Sequence, residues 1–118
     1  MTPEQRATLD QFYAGATAQD PAMIRPLLTD NFSHNSPLMN FDNPDDYIAH
    51  LVNFVGRVTQ SRFIAEGESV AHLYTLVAEL PDGEKHIEMC DVFTFQGDKI
   101  VKQTLYTDSA NFVAAEAA

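Results

Sequence analysis

The residue in this sequence best placed for acid–base chemistry is Asp91. Residues 85–96 alternate between apolar and polar types, as expected of a β-strand with one buried face. Asp91 occupies the apolar register between Met89 and Phe93. Because burial disfavours a charged carboxylate, we expect a raised pKa and a neutral acid that donates a hydrogen bond to a developing oxyanion or carries a proton. The alternatives are a carboxyl that bonds a neighbouring hydroxyl or backbone group, and a bulge that turns it outward.

His34 is the second candidate for proton transfer, since an imidazole acts as base or acid near neutral pH. It precedes Asn35, Ser36 and Pro37 in a short extended segment that breaks at the proline. His34 could equally brace a loop, and Asn35 could be a turn residue. Gln103 lies on the apolar face of the last predicted strand, where its amide either orients a carbonyl ligand or faces water at the sheet edge.

Phenols and possible metal ligands are the remaining chemical groups. Four tyrosines could donate a proton, although core packing explains most of them: Tyr13, Tyr47, Tyr74 and Tyr106. The set His72, His86, Glu88 and Cys90 lacks the spacing of a known metal site, and there is no glycine-rich phosphate loop or nucleophile elbow. We therefore expect neither a metal nor a cofactor.

Three helices are predicted in the first half of the chain. The first begins at Thr2-Pro3, where Thr2 and Gln5 form a capping box. The second, shorter helix begins at Asp20-Pro21. The third begins at Asn43-Pro44 and is predicted to run to about Gly56.

From Val58 onward the apolar pattern has a period of two, which predicts strands joined by tight turns at about 59–66, 70–80, 85–96 and 99–108. Residues 111–118 are alanine-rich and predict a frayed or short helical tail. The predicted fold is α+β: a cone-shaped barrel in which three N-terminal helices pack on a strongly curved antiparallel sheet. The mouth of such a cone is a natural ligand pocket.

Composition limits the classes of partner. The 118 residues fit a single domain, 1–118, and a net charge of −10 without a basic stripe argues against nucleic acid and anionic membranes. Cys90 is the only cysteine, so no intrachain disulfide can form. The start of the chain lacks the pattern of a signal peptide, from which we expect a cytoplasmic protein.

Three segments together resemble the nuclear-transport-factor-2-like superfamily, and within it the SnoaL-like polyketide cyclase and ketosteroid-isomerase-like branches. Residues 30–37 read DNFSHNSP, residues 65–72 read AEGESVAH, and residues 91–95 read DVFTF before Gly97, Lys99 and Ile100. The order of predicted helices and strands also resembles that superfamily over about residues 5–112.

The resemblance implies cofactor-free acid–base chemistry on carbonyl compounds, or binding of a small apolar organic ligand. It also implies a homodimer formed through the outer face of the sheet. In this interpretation Asp91 and His34 are catalytic, and Asp91 matches the oxyanion-hole acid of the isomerases. The expected ligand-contacting residues are Asn35, Gln103, Phe12, Tyr13, Tyr47, Met89, Phe93 and Leu105.

The chain also departs from the patterns of these families. The proton-shuttling carboxylate of ketosteroid isomerases would fall at Ser36 and their phenol at Phe12, so steroid isomerisation by that mechanism is not expected. SnoaL-like proteins often carry a histidine and an acid where this chain has Gln103 and Leu105. Limonene-epoxide-hydrolase relatives also need an acid at Leu105.

Three functional hypotheses follow from the sequence. The first is an isomerase, cyclase or lyase in which His34 is the base, neutral Asp91 stabilises an enolate, and Asn35 and Gln103 orient the ligand. The second is a non-catalytic module that holds a small apolar ligand. The third is a dimerisation domain, for which the mixed outer face around Cys90 permits a wet interface.

Overall fold

Three α-helices lie in the first half of the chain, each started by the capping residue that the sequence predicts, and two short strands separate the second helix from the third. The computed structural model describes residues 1–54 and 56–111. Helix α1 spans Pro3–Ala18, α2 spans Pro21–Ile24 and continues as a 3-10 turn over Arg25–Leu27, and α3 spans Pro44–Leu51. The Thr2 hydroxyl accepts from the Gln5 backbone N–H at 3.0 Å, and the Gln5 side chain accepts from the Thr2 N–H at 3.0 Å. The predicted capping box is therefore confirmed. No helix within these described ranges is long and apolar enough to cross a membrane.

Helix α3 is shorter than predicted. It ends at Leu51 and not near Gly56, where the next strand begins. The Asn53 N–H bonds the His50 carbonyl at 3.2 Å, which tightens the last turn, and the Asn53 side-chain amide donates to the Ala49 carbonyl at 2.9 Å. These bonds satisfy carbonyls that a longer helix would have used. The apolar residues that follow Leu51 lead into the sheet.

Six strands form one curved, open sheet in the order β2-β1-β6-β5-β4-β3. The strands are β1 Leu28–Asn35, β2 Asn40–Phe41, β3 Gly56–Glu66, β4 Ser69–Leu80, β5 Gly83–Gln96 and β6 Lys99–Thr107. Strands β3 to β6 form the predicted antiparallel meander. The α+β class is confirmed, with one pairing beyond the meander: β1 runs parallel to β6, which makes the sheet mixed. Residues 112–118, part of the predicted alanine-rich tail, lie outside the described residues.

The main core lies between the helices and the concave face of the sheet. Leu9 and Phe12 of α1 pack with Phe93 and Phe95 of β5, and all four side chains are at most 2% exposed. A second, smaller apolar cluster has Tyr74, Ala78, Ile87 and Met89 as its buried members. Tyr13 packs against both clusters, so α1 covers the boundary between them.

The position of α1 depends on a close approach to α2. A Cβ atom at Gly15 would lie 2.7 Å from Cγ1 of Ile24 and 3.0 Å from Cβ of Met23. Only glycine allows the two helices to pack at this distance without a shift. The approach fixes the helix that carries Tyr13 over the sheet.

Replacing Gly15 with alanine should therefore destabilise the fold. Overpacking costs about 1–3 kcal/mol, which exceeds the ~1 kcal/mol gained from the helix propensity of alanine. We expect the free energy of unfolding, measured by urea denaturation, to fall by about 1 kcal/mol. Thr17→Ala, at an exposed position of the same helix, should be neutral or slightly stabilising. A Gly15→Ala protein as stable as the parent would contradict the close packing.

Candidate active site

Asp91 is buried at the centre of the concave face of the sheet. In the strand register it faces His72 of β4 and Leu105 of β6, and it is 3% exposed. The Tyr13 hydroxyl donates to its Oδ2 at 2.6 Å, and the Tyr74 hydroxyl donates to the same oxygen at 2.8 Å. The carboxyl thus points inward, and no bulge turns it to solvent. The sequence also allowed a carboxyl that only bonds neighbouring hydroxyls, and such bonds are present here. The catalytic role of Asp91 therefore stays a prediction.

Burial and hydrogen bonding act on the pKa of Asp91 in opposite directions. Burial is the larger effect and raises the pKa, while hydrogen bonds from Tyr13, Tyr74 and Gln103 lower it. The pKa values of Tyr13 and Tyr74 lie well above the usual value, because burial of the two hydroxyl groups and the nearby Asp91 charge disfavour ionisation, although the Tyr13 side chain as a whole is half-buried. Both phenols therefore keep their protons and serve as donors.

His34 lies at the other end of the same network. It is 5% exposed, its ring stacks on Tyr47 with centroids 4.4 Å apart, and its Nδ1 is 3.1 Å from Oε1 of Gln103. Burial lowers the pKa of His34, and the bond to Gln103 partly opposes that effect. The imidazole is therefore neutral near pH 7, as a general base must be.

Gln103 joins the imidazole to the carboxyl. It is 3% exposed, so the alternative in which its amide faces water does not apply. Strand β1 places His34 directly opposite Gln103, and Gln103 also lowers the pKa of Asp91, as a donor near the carboxyl does. His34, Gln103, Asp91 and His72 thus form a polar row across four adjacent strands of an otherwise apolar face.

The other predicted ligand contacts fall into three groups. Phe12 and Phe93 are core residues, with ring centroids 5.5 Å apart. Met89 and Leu105 belong to the second cluster, near the acid. Asn35 pairs with Thr104 of β6. As the neighbour of His34 along β1, it faces the other side of the sheet, and the structure does not bring it to the network. Their roles in ligand binding remain predictions.

Sequence reasoning missed how Tyr74 and His72 relate to Asp91. Both lie in the same register of β4, and β4 and β5 are joined by the tight turn in which Leu80 pairs with Gly83. Counting back in pairs from that turn places Tyr74 opposite Met89 and His72 opposite Asp91. The turn signal at Pro81-Asp82 would therefore have sufficed to find both residues.

His72 lies in an aromatic stack beside the acid. Its ring is 1% exposed, 4.3 Å from the Phe63 ring centroid on one side and 4.4 Å from Tyr74 on the other. Nε2 is 2.9 Å from the Ser61 hydroxyl, while the buried Nδ1 has no hydrogen-bond partner among the described residues. Burial, with a smaller effect of the Arg6 charge, lowers the pKa of His72 to about 4. A neutral, stacked His72 supports the phenol of Tyr74.

Two surface depressions lie away from Asp91 and His34. One, of about 470 Å³, is lined chiefly by outward-facing residues of β3 to β6, among them Arg62, Leu73 and Cys90. The other, of about 340 Å³, lies between α2 and α3. The space next to Asp91 is occupied by the two phenols. Part of the second cluster is open to solvent through partly buried side chains: Tyr13, Phe54, Val58, Leu76, Leu80 and Leu105.

Metal ligation does not account for the network. Within residues 1–54 and 56–111, no three His, Cys, Asp or Glu side chains are grouped so that they could hold a metal ion. The polar groups around Asp91 are instead matched as hydrogen-bond donors and acceptors. The arrangement can hold or move a proton, and it can offer a phenol or a carboxylic acid to a carbonyl oxygen.

Comparison with known proteins gives one family match and many fold matches. A family model described as a SnoaL-like domain matches residues 9–103. An NTF2-like protein of unknown function from Burkholderia pseudomallei has a TM-score of 0.87 at 18% identity, covering 99% of this chain and 100% of that chain. TerC, co-crystallised with polyporic acid, has a TM-score of 0.83 at 15% identity, covering 98% and 99%. An LEH-like epoxide hydrolase from M. tuberculosis has a TM-score of 0.81 at 17% identity, covering 98% and 92%. No curated protein matches the chain.

These matches confirm the resemblance seen in the sequence. The family model covers the segments around His34 and Asp91 that carried it. The solved structures are all below 20% identity, so they establish the fold and not the chemistry.

His72 should make stability depend on pH. The unfolded chain takes up a proton near pH 6.5, whereas folded His72 does so only near pH 4, so stability falls as the pH falls from 6.5 to 4. The pKa difference corresponds to at most ~3 kcal/mol, and with partial solvent screening we expect about 1–2 kcal/mol. In His72→Phe, which keeps the ring stack, this part of the acid destabilisation should disappear in urea denaturation at pH 7 and pH 4.5. His86→Gln, at an exposed position of β5, is the control. An unchanged pH profile in His72→Phe would refute the assignment.

Proposed function

This chain belongs to the SnoaL-like domain family, and we propose that it is a cofactor-independent isomerase, cyclase or lyase acting on an apolar carbonyl compound. The observation that carries the proposal is the buried Asp91 carboxyl, held by two phenols and joined through Gln103 to the neutral imidazole of His34. Burial raises the pKa of the carboxyl and lowers that of the imidazole. Environments that separate the two groups into an acid and a base in this way are typical of acid–base sites.

In the proposed reaction, His34 removes a proton from the carbon next to the substrate carbonyl. The C–H electron pair becomes the carbon–carbon double bond of an enolate, and negative charge moves to the carbonyl oxygen. Neutral Asp91, or the Tyr13 phenol bonded to it, donates a hydrogen bond to that oxygen. The proton then returns from His34 to a different carbon. An isomerisation of this kind balances without an oxidant, a reductant or a cofactor.

The ligand we propose is small, apolar and not strongly anionic. TerC, which has the same fold, was co-crystallised with the small organic molecule polyporic acid. The net charge of −10 disfavours a multiply charged anion here. Entry through the partly buried side chains of the second cluster would bring a carbonyl group first to Tyr13 and then to Asp91. Met89 and Leu105 would line this route.

A non-catalytic ligand-binding module is the second candidate. It is favoured by the closed state of the network, since Asp91, His34 and Gln103 are each at most 5% exposed, Gln103 bonds His34, and Tyr13 and Tyr74 bond Asp91. Such a network can orient a ligand without transferring a proton. The resemblance also implies that Ser36 stands where ketosteroid isomerases carry their proton-shuttling carboxylate.

We also propose a cytoplasmic homodimer joined through the outer sheet face. Leu73, Cys90 and Tyr106 lie side by side on this face across β4, β5 and β6. Tyr106 is 59% exposed and Ile64 is 50% exposed, so burial in a dimer would remove apolar surface from water. Arg62 and Glu88 lie at the same depression and give the contact a polar part.

Asp91→Asn should slow proton transfer, because it removes the carboxylic acid that stabilises the enolate, while leaving the phenol bonds possible. We expect the wild-type protein to accelerate deuterium uptake from D₂O into β,γ-unsaturated ketones, followed by proton NMR. In Asp91→Asn the rate should fall by about 10²-fold or more, the usual contribution of a positioned acid or oxyanion donor. Carbon NMR titration of wild-type Asp91 should give a pKa above the ordinary value of about 4.

Asp82→Asn, in an exposed turn, is the matched control and should exchange as fast as wild type. Ligand-induced chemical-shift changes around Asp91 without deuterium uptake would favour the binding module. Equal uptake by Asp91→Asn and wild type would rule out the acid role.

The dimer should dissociate when charge is introduced on the outer face. We expect sedimentation at micromolar concentration to give a dimer for wild type and a monomer for the double variant Ile64→Glu/Tyr106→Glu. Leu38→Glu/Met39→Glu, at exposed apolar positions near β2, is the control and should stay dimeric. A monomeric wild-type protein would contradict the proposal.

A further inference from the structure

Resting on the proposed function, we propose that Gln103 is a positioning residue that fixes the tautomer of His34. With its proton held on Nδ1, His34 presents the lone pair of Nε2 as the base. Gln103 is also a predicted ligand contact, and its amide oxygen is turned to the imidazole of His34 within a site where it is 3% exposed.

The argument starts from the orientation of the amide. Oε1 of Gln103 is 3.1 Å from Nδ1 of His34, and a carbonyl oxygen can only accept. The proton of a neutral imidazole must therefore be on Nδ1, which leaves Nε2 without one. The tautomer follows from the amide, because a nitrogen facing an acceptor must carry the hydrogen.

The amide nitrogen of Gln103 explains why Oε1 stays turned towards His34. With Oε1 turned to His34, the amide nitrogen is left as the donor end of Gln103, and Asp91 and Tyr47 are the groups whose pKa it influences. Gln103 lowers the pKa of Asp91 and of Tyr47, as a donor does, and raises that of His34, as an acceptor does. Rotating the amide by half a turn would set its oxygen against the carboxylate. While Asp91 is ionised before a ligand binds, its charge thus favours one tautomer of His34 through the Gln103 amide.

The aromatic contacts of the His34 ring do not favour either tautomer. Its ring is stacked on Tyr47 at an interplanar angle of 19° and lies near Phe41, and both contacts involve ring faces and carry no directional donor. His50, whose charge acts on His34 from α3, lowers the pKa of the ring and so also favours the neutral form. Within residues 1–54 and 56–111, Gln103 is the hydrogen-bond partner that distinguishes the two nitrogens.

Nitrogen NMR tests the assignment on the wild-type protein. In ¹⁵N-labelled protein at pH 7, long-range proton–nitrogen correlation should show Nδ1 of His34 protonated and Nε2 unprotonated. The His34 signals are identified by their loss in His34→Asn. A protonated Nε2, or an average of the two tautomers, would overturn the proposal whether or not the Gln103 variants fold.

Two variants then separate positioning from packing. Gln103→Glu keeps an acceptor for Nδ1 and should preserve the tautomer while raising the pKa of His34. Gln103→Met keeps the chain length but removes the acceptor, so the two tautomers should mix. Since a wrong histidine tautomer can cost as much as ~10⁴-fold in kcat, we expect Gln103→Met to lose about tenfold or more in deuterium uptake, with KM little changed. Gln96→Met, at an exposed position of β5, should alter neither signal.

The NMR and exchange results distinguish the positioning role of Gln103 from the proposed enzyme activity. The predicted tautomer without deuterium uptake would leave Gln103 as a positioning residue and remove the proposed enzyme. Deuterium uptake with a protonated Nε2 would support the enzyme and refute the role of Gln103.

Discussion

A carboxyl group placed in the middle of an apolar sheet face must be supplied with hydrogen-bond donors, and much of this structure is arranged around that requirement. An unpaired carboxylate at the position of Asp91 would lose several kcal/mol of hydration. Its hydrogen-bond donors come from two separate elements, Tyr13 from α1 and Tyr74 from β4, and Gln103 of β6 also lowers its pKa. The helix, its approach at Gly15 and the register of two hairpins must all be correct for these donors to meet one carboxyl.

The parallel pairing of β1 with β6 extends the same network to a base. Without that pairing His34 would lie on an isolated extended segment, far in sequence from Asp91. The pairing puts it opposite Gln103 and stacks it on Tyr47 of α3. A parallel pair requires a long connection between its strands. Here the connection from β1 to β6 contains β2, α3 and strands β3 to β5. The site thus depends on the most non-local contact in the sheet.

This dependence explains which features the sequence could predict. Helix starts at Thr2, Asp20 and Asn43 follow from local capping, and the meander follows from a period of two with turn residues between strands. The inward direction of Asp91 needed only alternation. The sequence also contained the pairing of His72 with Asp91, through the turn after Leu80, although that inference was not made.

Other features had no local signal. The pairing of β1 with β6 joins segments about seventy residues apart, as in His34 and Gln103. The contact of Tyr13 with Asp91 depends on how a helix rotates over the sheet, which Leu9 and Phe12 determine by packing. The early end of α3 depends on the side chain of Asn53, whose bond to Ala49 competes with apolar periodicity. The sequence therefore identified candidate chemical groups but not which of them touch.

The same hydrogen bonds that make Asp91 tolerable in the core also set limits on its chemistry. An ionised Asp91 raises the pKa of Tyr13 and Tyr74, which makes both phenols weaker proton donors. A neutral Asp91 would remove that effect and add a donor of its own. Tyr13, which packs against both apolar clusters and is only half-buried, is the donor that a ligand entering from the second cluster meets first. A ligand carbonyl that draws a hydrogen bond from Tyr13 takes a donor away from Asp91 and so favours its protonation. Binding of an oxygen acceptor would then convert a structural carboxylate into the acid that the proposed reaction needs.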